Sequence, residues 1–172
     1  MRLFIAVNFT DEVKEQLLEI QKQLRSQSVS GNFTRQENLH LTLAFLGETS
    51  EEKLPSLYQI MEDVQFSPFE IYFDHTGCFT HSRKELWWIG AGKNEPGLKL
   101  LKDIHSRLLK RLLDARFSVD ERPFNPHITL GREIKHLQPI TLDHKELIVR
   151  VNEISLMKSE RLNGVLTYTR LC

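Results

Sequence analysis

Cysteine is scarce in this chain. Only Cys78 and Cys172 occur, without CxxC or metal-ligand spacing, so both are expected as ordinary thiols in a reducing, intracellular setting. An excess of one charge is also missing. Lysine plus arginine equals aspartate plus glutamate at 23 each, a formal net charge of zero. That argues against a broad nucleic-acid-coating surface and leaves room for a local basic cleft. No apolar run approaches the length of a bilayer crossing. The longest candidate near the start, Leu3 to Val7, is too short for a signal peptide and is soon followed by Asp11-Glu12, so a buried first strand and a cytoplasmic protein are expected. There is no Gly-rich phosphate loop, no HExxH helix and no nucleophile elbow, which removes three common routes to hydrolysis. No stretch reads as a flexible linker between independent domains.

What is present is an ordinary globular profile, 40% hydrophobic and 27% charged over 172 residues, and one hexapeptide written twice. Asn38-Leu39-His40-Leu41-Thr42-Leu43 and Asn125-Pro126-His127-Ile128-Thr129-Leu130 both read Asn-x-His-apolar-Thr-Leu. A lone His-x-Thr recurs by chance; two copies sharing the flanking Asn and the closing Leu do not. Both lie in alternating runs that predict strands, where His and Thr share one face and the aliphatic residues the other.

The surrounding elements repeat in order. A first strand, a helix capped by Thr10 with a Val13-Leu17-Ile20-Leu24 stripe, a polar loop over 26–32 and the first hexapeptide strand come first. Gly47 ends that strand. A helix with capping-box spacing between Thr49 and Glu52 follows, starting near Lys53 because of Pro55, with a Leu54-Leu57-Met61-Val64 stripe. Phe69, Ile71 and Phe73 alternate as a strand, and residues 75–84 read as a polar crossing between halves. A strand over 86–91 carries Trp87-Trp88. A helix from Pro96 then buries Leu98, Leu101, Ile104, Leu108 and Leu112, and the second hexapeptide strand comes after it. Alternation at Leu147, Val149 and Val151, then at Ile154 and Leu156, precedes a last strand entered through an Asn163-Gly164 turn. Strand, helix, hexapeptide strand thus occurs near 2–46 and again near 86–132. The expected fold is α+β, one bilobal domain over 1–172 with two pseudo-symmetric antiparallel lobes, outer helices and a central cleft.

Two imidazoles across a cleft titrate near neutral pH, so one can take a proton while the other gives one. Threonine hydroxyls donate to charged non-bridging oxygens. In-line displacement at phosphorus needs this equipment. Arg132, two positions past Leu130, is expected to join the His127/Thr129 face and bind a phosphate oxygen. Two histidines without a carboxylate are too few for a catalytic zinc site, so metal-independent phosphodiester cleavage with no cofactor is the expectation.

These residues resemble a known family. His40-Leu41-Thr42-Leu43 and His127-Ile128-Thr129-Leu130 look like the paired HxTx motifs of the 2H phosphoesterase superfamily. The contexts Arg2 to Val7, Glu37 to Glu48 and Pro126 to Arg132 are similar to RNA 2′,3′-cyclic phosphodiesterases, also called 2′-5′ RNA ligases. The resemblance implies a hydrolase that opens RNA 2′,3′-cyclic phosphate ends to 2′-phosphomonoesters, with reversible 2′-5′ ligation. It implies His40 as proton donor to the leaving 3′ oxygen and His127 as proton acceptor from water, with Thr42 and Thr129 on the phosphoryl oxygens. RNA ends or short oligonucleotides are the implied partners, without a membrane, and the protein is expected as a monomer. Two other readings stand beside it: the same chemistry on a small cyclic nucleotide or 2′-5′ oligonucleotide, and an RNA-end binding module without turnover.

For other residues the expectations are plainer. Asn38 and Asn125 make turn or strand-edge hydrogen bonds, Phe45 is core, and one of Trp87 and Trp88 is core. His75, His81, His105, His136 and His144 are surface positions. Arg35 and Arg122, ahead of the two hexapeptides, extend the positive charge of the cleft or are ordinary surface arginines.

Overall fold

The computed structural model describes residues 1–82, 84–92 and 95–172. Its strands are β1 (Arg2–Asn8), β2 (Ser30–Phe33), β3 (His40–Glu48), β4 (Phe69–His81), β5 (Lys84–Ala91), β6 (His127–Lys135), β7 (Leu147–Val151), β8 (Ser155–Leu162) and β9 (Val165–Arg170); its helices are α1 (Asp11–Ser26), α2 (Leu54–Asp63) and α3 (Pro96–Asp114). The strands form one sheet in the order β7-β4-β5-β6-β3-β1-β8-β9, with β2 pairing on β6. Every pairing is antiparallel.

The order is palindromic about the β6/β3 seam. β1-α1-β3 on one side answers β5-α3-β6 on the other, so the two-lobed α+β expectation holds, with both lobes in one continuous sheet. β1 is buried on both faces, which is why its run is continuously apolar. Leu3, Ile5 and Val7 enter the main core, while Phe4 and Ala6 join Met157 and Tyr168 on the reverse face. Helices α1 and α3 bury the stripes their spacing predicts. The Thr10 hydroxyl accepts from the Val13 N–H at 3.4 Å and the Glu95 carboxylate accepts from the Leu98 N–H at 2.6 Å, satisfying first-turn donors. At the Asn163-Gly164 turn both residues have positive φ, 51° and 81°, as a two-residue hairpin requires.

Several expectations give way. Residues 75–84 are not a crossing. β4 continues to His81, turns at Ser82 (φ 48°) and pairs His75 through His81 with Gly90 to Lys84; Arg83, inside that stretch, lies outside the described residues. A register shift between Phe73 and His75 breaks the alternation that marks the earlier part of the strand. The chain crosses between halves instead through α2 and between β7 and β8. The polar loop over 26–32 contains the start of β2, which forms because β6 is longer than its contact with β3 and offers a free edge. The capping box at Thr49 does not form: that side chain is buried and donates to the Gly47 carbonyl at 3.3 Å, and a 3-10 turn over Glu51–Lys53 leads into α2. Ile60 rather than Met61 completes the buried stripe of α2. His105 is not on the surface. It is 9% exposed, stacked on Phe124 with ring centroids 4.0 Å apart and planes 3° from parallel, and burial pushes its pKa down.

Candidate active site

The seam between the lobes is one bridging pair, Leu41 with Ile128. Both are fully buried, the aliphatic centre of each hexapeptide. Antiparallel register about that pair sets His40 across from Thr129 and Thr42 across from His127. The two imidazoles therefore stand at opposite corners of a four-residue patch, with a hydroxyl at each of the other corners.

Each imidazole is oriented from behind in the same way. His40 Nδ1 lies 2.6 Å from the Asn38 carbonyl oxygen and His127 Nδ1 lies 2.8 Å from the Asn125 carbonyl oxygen. A carbonyl only accepts, so both rings carry their proton on Nδ1, and both Nε2 atoms are left as bases. The Thr42 hydroxyl donates to His40 Nε2 at 2.8 Å. The repeated Asn is thus used through its backbone carbonyl. The Asn38 side chain also donates to the Leu166 carbonyl at 2.9 Å, tying the turn before His40 to β9, whereas Asn125 is exposed.

Both hexapeptide strands carry a bulge immediately after the threonine. On β3 the register runs from Ala6↔Thr42 to Ile5↔Ala44, and on β6 from Trp88↔Thr129 to Trp87↔Gly131, so Leu43 and Leu130 are the inserted residues. The bulge reverses the parity of the residues beyond it. Strict alternation puts Arg132 on the Leu130 face, turned away from the histidines; the bulge brings it to the cleft, where simple spacing placed it for the wrong reason. The same device corrects Phe45. It has the parity of Leu41 and Leu43, yet it is 55% exposed and on the cleft side, 6.2 Å from Phe4 ring to ring.

Burial is the first cause that pushes both imidazoles below their ordinary pKa of 6.5. The Asn38 and Asn125 carbonyls oppose this. The Arg132 charge pushes both down further, with smaller contributions at His40 from His127 and Lys14. One guanidinium therefore acts on both rings. Its neighbour Glu133 is already engaged, by Lys84 at 2.5 Å and Asn32 at 3.0 Å. Arg35 and Arg122 behave differently, each pairing with its own near neighbour, Glu37 and Asp120. A pair that needs one neutral and one protonated imidazole stops working above its upper pKa, where neither ring holds the second proton, and below its lower one, where neither can accept. With both depressed, kcat/KM against pH is expected to peak on the acidic side of 6.5. Replacing Arg132 with Gln removes the positive charge and moves that peak to higher pH. It also lowers kcat/KM by the ~1.5–3 kcal/mol of a charge-assisted hydrogen bond, roughly 10- to 150-fold. An unmoved peak would show that Arg132 does not act on the histidines.

Aromatic side chains wall the patch, and most of them were invisible in the motifs. Phe4 and Tyr168 lie 4.9 and 5.3 Å from the His40 ring, and Phe79 and Trp88 lie 5.3 and 6.4 Å from the His127 ring. Phe79 arrives through the unexpected second half of β4, Tyr168 through β9. Only Trp88 carried a signal, the Trp pair on opposite strand faces, of which Trp87 is the buried member. Behind the seam, the buried Gln21 side chain of α1 donates to the Thr34 and Leu130 carbonyls at 2.7 and 2.8 Å, and fixes the bulge from the core side.

A bilobal antiparallel sheet with one His-x-Thr strand from each half at its seam is the fold of the 2H phosphoesterases. The chain matches the family model described as LigT like Phosphoesterase over residues 7–88 and 93–167, and it belongs to that family. It is 36% identical over 145 residues to an RNA 2′,3′-cyclic phosphodiesterase of Archaeoglobus fulgidus, covering 83% of this chain and 78% of that one. To the Escherichia coli protein of the same name it is 31% identical over 170 residues, 99% and 93% of the two chains. The crystal structure of E. coli LigT complexed with 3′-AMP superposes with a TM-score of 0.84 at 29% identity, over 99% of this chain and 95% of that one.

Proposed function

We propose that this phosphodiester hydrolase opens RNA 2′,3′-cyclic phosphate ends to 2′-phosphomonoesters, with His40 as proton donor and His127 as proton acceptor. The family makes the chain a cyclic phosphodiesterase. The observation that supports His40 and His127 as the acid–base pair is the matched pair of Nδ1–carbonyl hydrogen bonds, which leaves both Nε2 atoms to work on one centre from opposite corners; the split into donor and acceptor follows the resemblance to the family.

The cyclic phosphate sits over the Leu41–Ile128 seam. Water on the His127 side loses its proton to Nε2 as its oxygen attacks phosphorus. The P–O3′ bond breaks on the other side, and protonated His40 supplies the proton that leaves O3′ as a hydroxyl. Thr42, Thr129 and Arg132 hold the non-bridging oxygens as charge builds there. The terminal ribose then lies on the His40 side, where the exposed Phe45 ring offers a face to a base. The bound anion opposes the charge of Arg132, so it raises both imidazole pKa values toward working pH. No step calls on a metal, and the protein would act as a cytoplasmic monomer with residues 1–172 as one catalytic unit. No helix among the described residues is long and apolar enough to cross a membrane.

The test is product identity on a short RNA ending in a 2′,3′-cyclic phosphate, with chelator in excess. A 2′-phosphate as sole product, at an undiminished rate, is expected. A 3′-phosphate would reverse the geometry, and activity lost in chelator and restored by a divalent metal would replace the mechanism. Tight binding of the 2′-phosphate product without any turnover would instead favour an RNA-end binding module.

A further inference from the structure

The two hexapeptides hold their histidines by the same Nδ1–carbonyl bond, but what stands behind the two carbonyls differs. In the second copy the Asn is followed by Pro126, whose ring fixes its own φ and restricts the residue before it to extended backbone. The Asn125 carbonyl is thereby set by the chain itself, and its side chain is left exposed. In the first copy Leu39 stands where the proline would be. Asn38 closes a single 3-10 turn, Gln36–Asn38. Its backbone bonds run from the Asn38 N–H to the Arg35 carbonyl at 2.9 Å and from the Leu39 N–H to the Gln36 carbonyl at 3.2 Å. One such turn is a weak local constraint.

The missing constraint comes from the other end of the chain. Asn38 is 5% exposed, and its Nδ2–H donates to the Leu166 carbonyl of β9 at 2.9 Å. β9 ends the sheet and pairs with β8 alone. Further along the same strand, Tyr168 packs edge-on against the His40 ring at 5.3 Å and against Phe4 at 4.8 Å, and Phe4 lies 4.9 Å from His40. β9 therefore reaches the imidazole twice, through Tyr168 beside the ring and through Asn38 behind its Nδ1. The bond to Leu166 leaves the Asn38 Oδ1 buried with no partner among the described residues. Buried polar atoms are rarely left so, and one that is asks for a reason. A residue that only filled the turn would not need an amide there. Burial pushes the His40 pKa down, and the Asn38 carbonyl is the contact that opposes it.

We propose that Asn38 is a positioning residue for the reaction: by tying its own backbone to β9, its side chain aims the carbonyl that fixes the His40 ring, the part that Pro126 plays for His127. It rests on His40 being one of the two working imidazoles and holds for either direction of proton transfer. With the tie cut, the Asn38 carbonyl is free to swing off Nδ1. The ring then loses the acceptor that keeps its proton there, and Nε2 no longer points at the oxygen it serves. The repeated Asn thus has two different uses. The second copy needs only its backbone, and the first needs its amide as well.

The test reads the ring nitrogens of His40 and His127 by NMR on the full chain, at about pH 8 where both rings are neutral, in the parent, Asn38→Ala and Asn38→Asp. The aspartate keeps the size and turn preference of the residue and puts an acceptor where the donor was. Both rings of the parent are expected as the Nδ1–H tautomer. In both variants the Nε2–H tautomer is expected to appear at His40 while His127 keeps its own, which also reports an intact fold. With it, kcat on 2′,3′-cyclic AMP falls roughly 10- to 100-fold, as for a misaligned catalytic group, and KM stays within about threefold. An unaltered His40 tautomer in both variants overturns the role. So does mixing at both histidines together, or an altered His40 with undiminished kcat. Loss of the fold in both variants overturns it in favour of a purely structural tie. A parent inactive on cyclic AMP overturns the proposed function instead, and the tautomers alone then decide on Asn38.

Discussion

Replacing His40 or His127 with alanine lowers kcat/KM for a 2′,3′-cyclic nucleotide by roughly 10²–10⁴-fold, the range that one positioned general acid or base contributes. Each ring is a distinct partner in one proton relay, so the double variant falls little further than the worse single one. The fold survives because both side chains sit on the cleft face, partly solvated, while the seam beneath them is carried by Leu41 and Ile128. His40 is the more delicate of the two. Phe4 and Tyr168 lean on its ring, so His40→Gln, which keeps more of the volume, separates lost chemistry from lost packing. Parent-like turnover in either alanine variant would remove the paired-histidine account.

The largest stability effect is expected at the seam. Leu41 is fully buried and forms the bridging pair with Ile128 on which the two lobes meet. Truncating it to alanine costs about 2–5 kcal/mol, read as a shift of the urea midpoint at unchanged slope. Ile128→Val removes a single methylene and costs about 0.5–1.5 kcal/mol. Because the same two residues hold the histidine strands in register, Leu41→Ala also lowers kcat under conditions where the protein remains folded. A change below about 1 kcal/mol would mean that the lobes are held elsewhere.

Much of this site was legible in the sequence because its unit is local. Six residues in a strand carry their own face assignment, so His40 with Thr42 and His127 with Thr129 could be paired before any fold was known. The helix stripes of α1 and α3 are local in the same sense. What was not legible depends on an interruption of a period. The bulges at Leu43 and Leu130 set the direction of Phe45 and Arg132, and neither is marked by a Gly or Pro in the inserted position. The second half of β4 was missed for a related reason: its polar residues are stabilised by pairing with the adjoining β5 and not by an apolar alternation of their own. His105 was misjudged because nothing in helix periodicity announces that Phe124, ten residues past the end of α3, folds back to cover it.

The division of labour between the two histidines is the centre of the account, and leaving-group chemistry tests it most directly. A cyclic substrate whose 3′ oxygen is replaced by sulfur expels a thiolate, which needs no proton. On that substrate His40→Ala is predicted to recover to within roughly tenfold of the parent, while His127→Ala stays as impaired as on the oxygen substrate. Recovery of His127→Ala with His40→Ala still impaired would contradict the assignment.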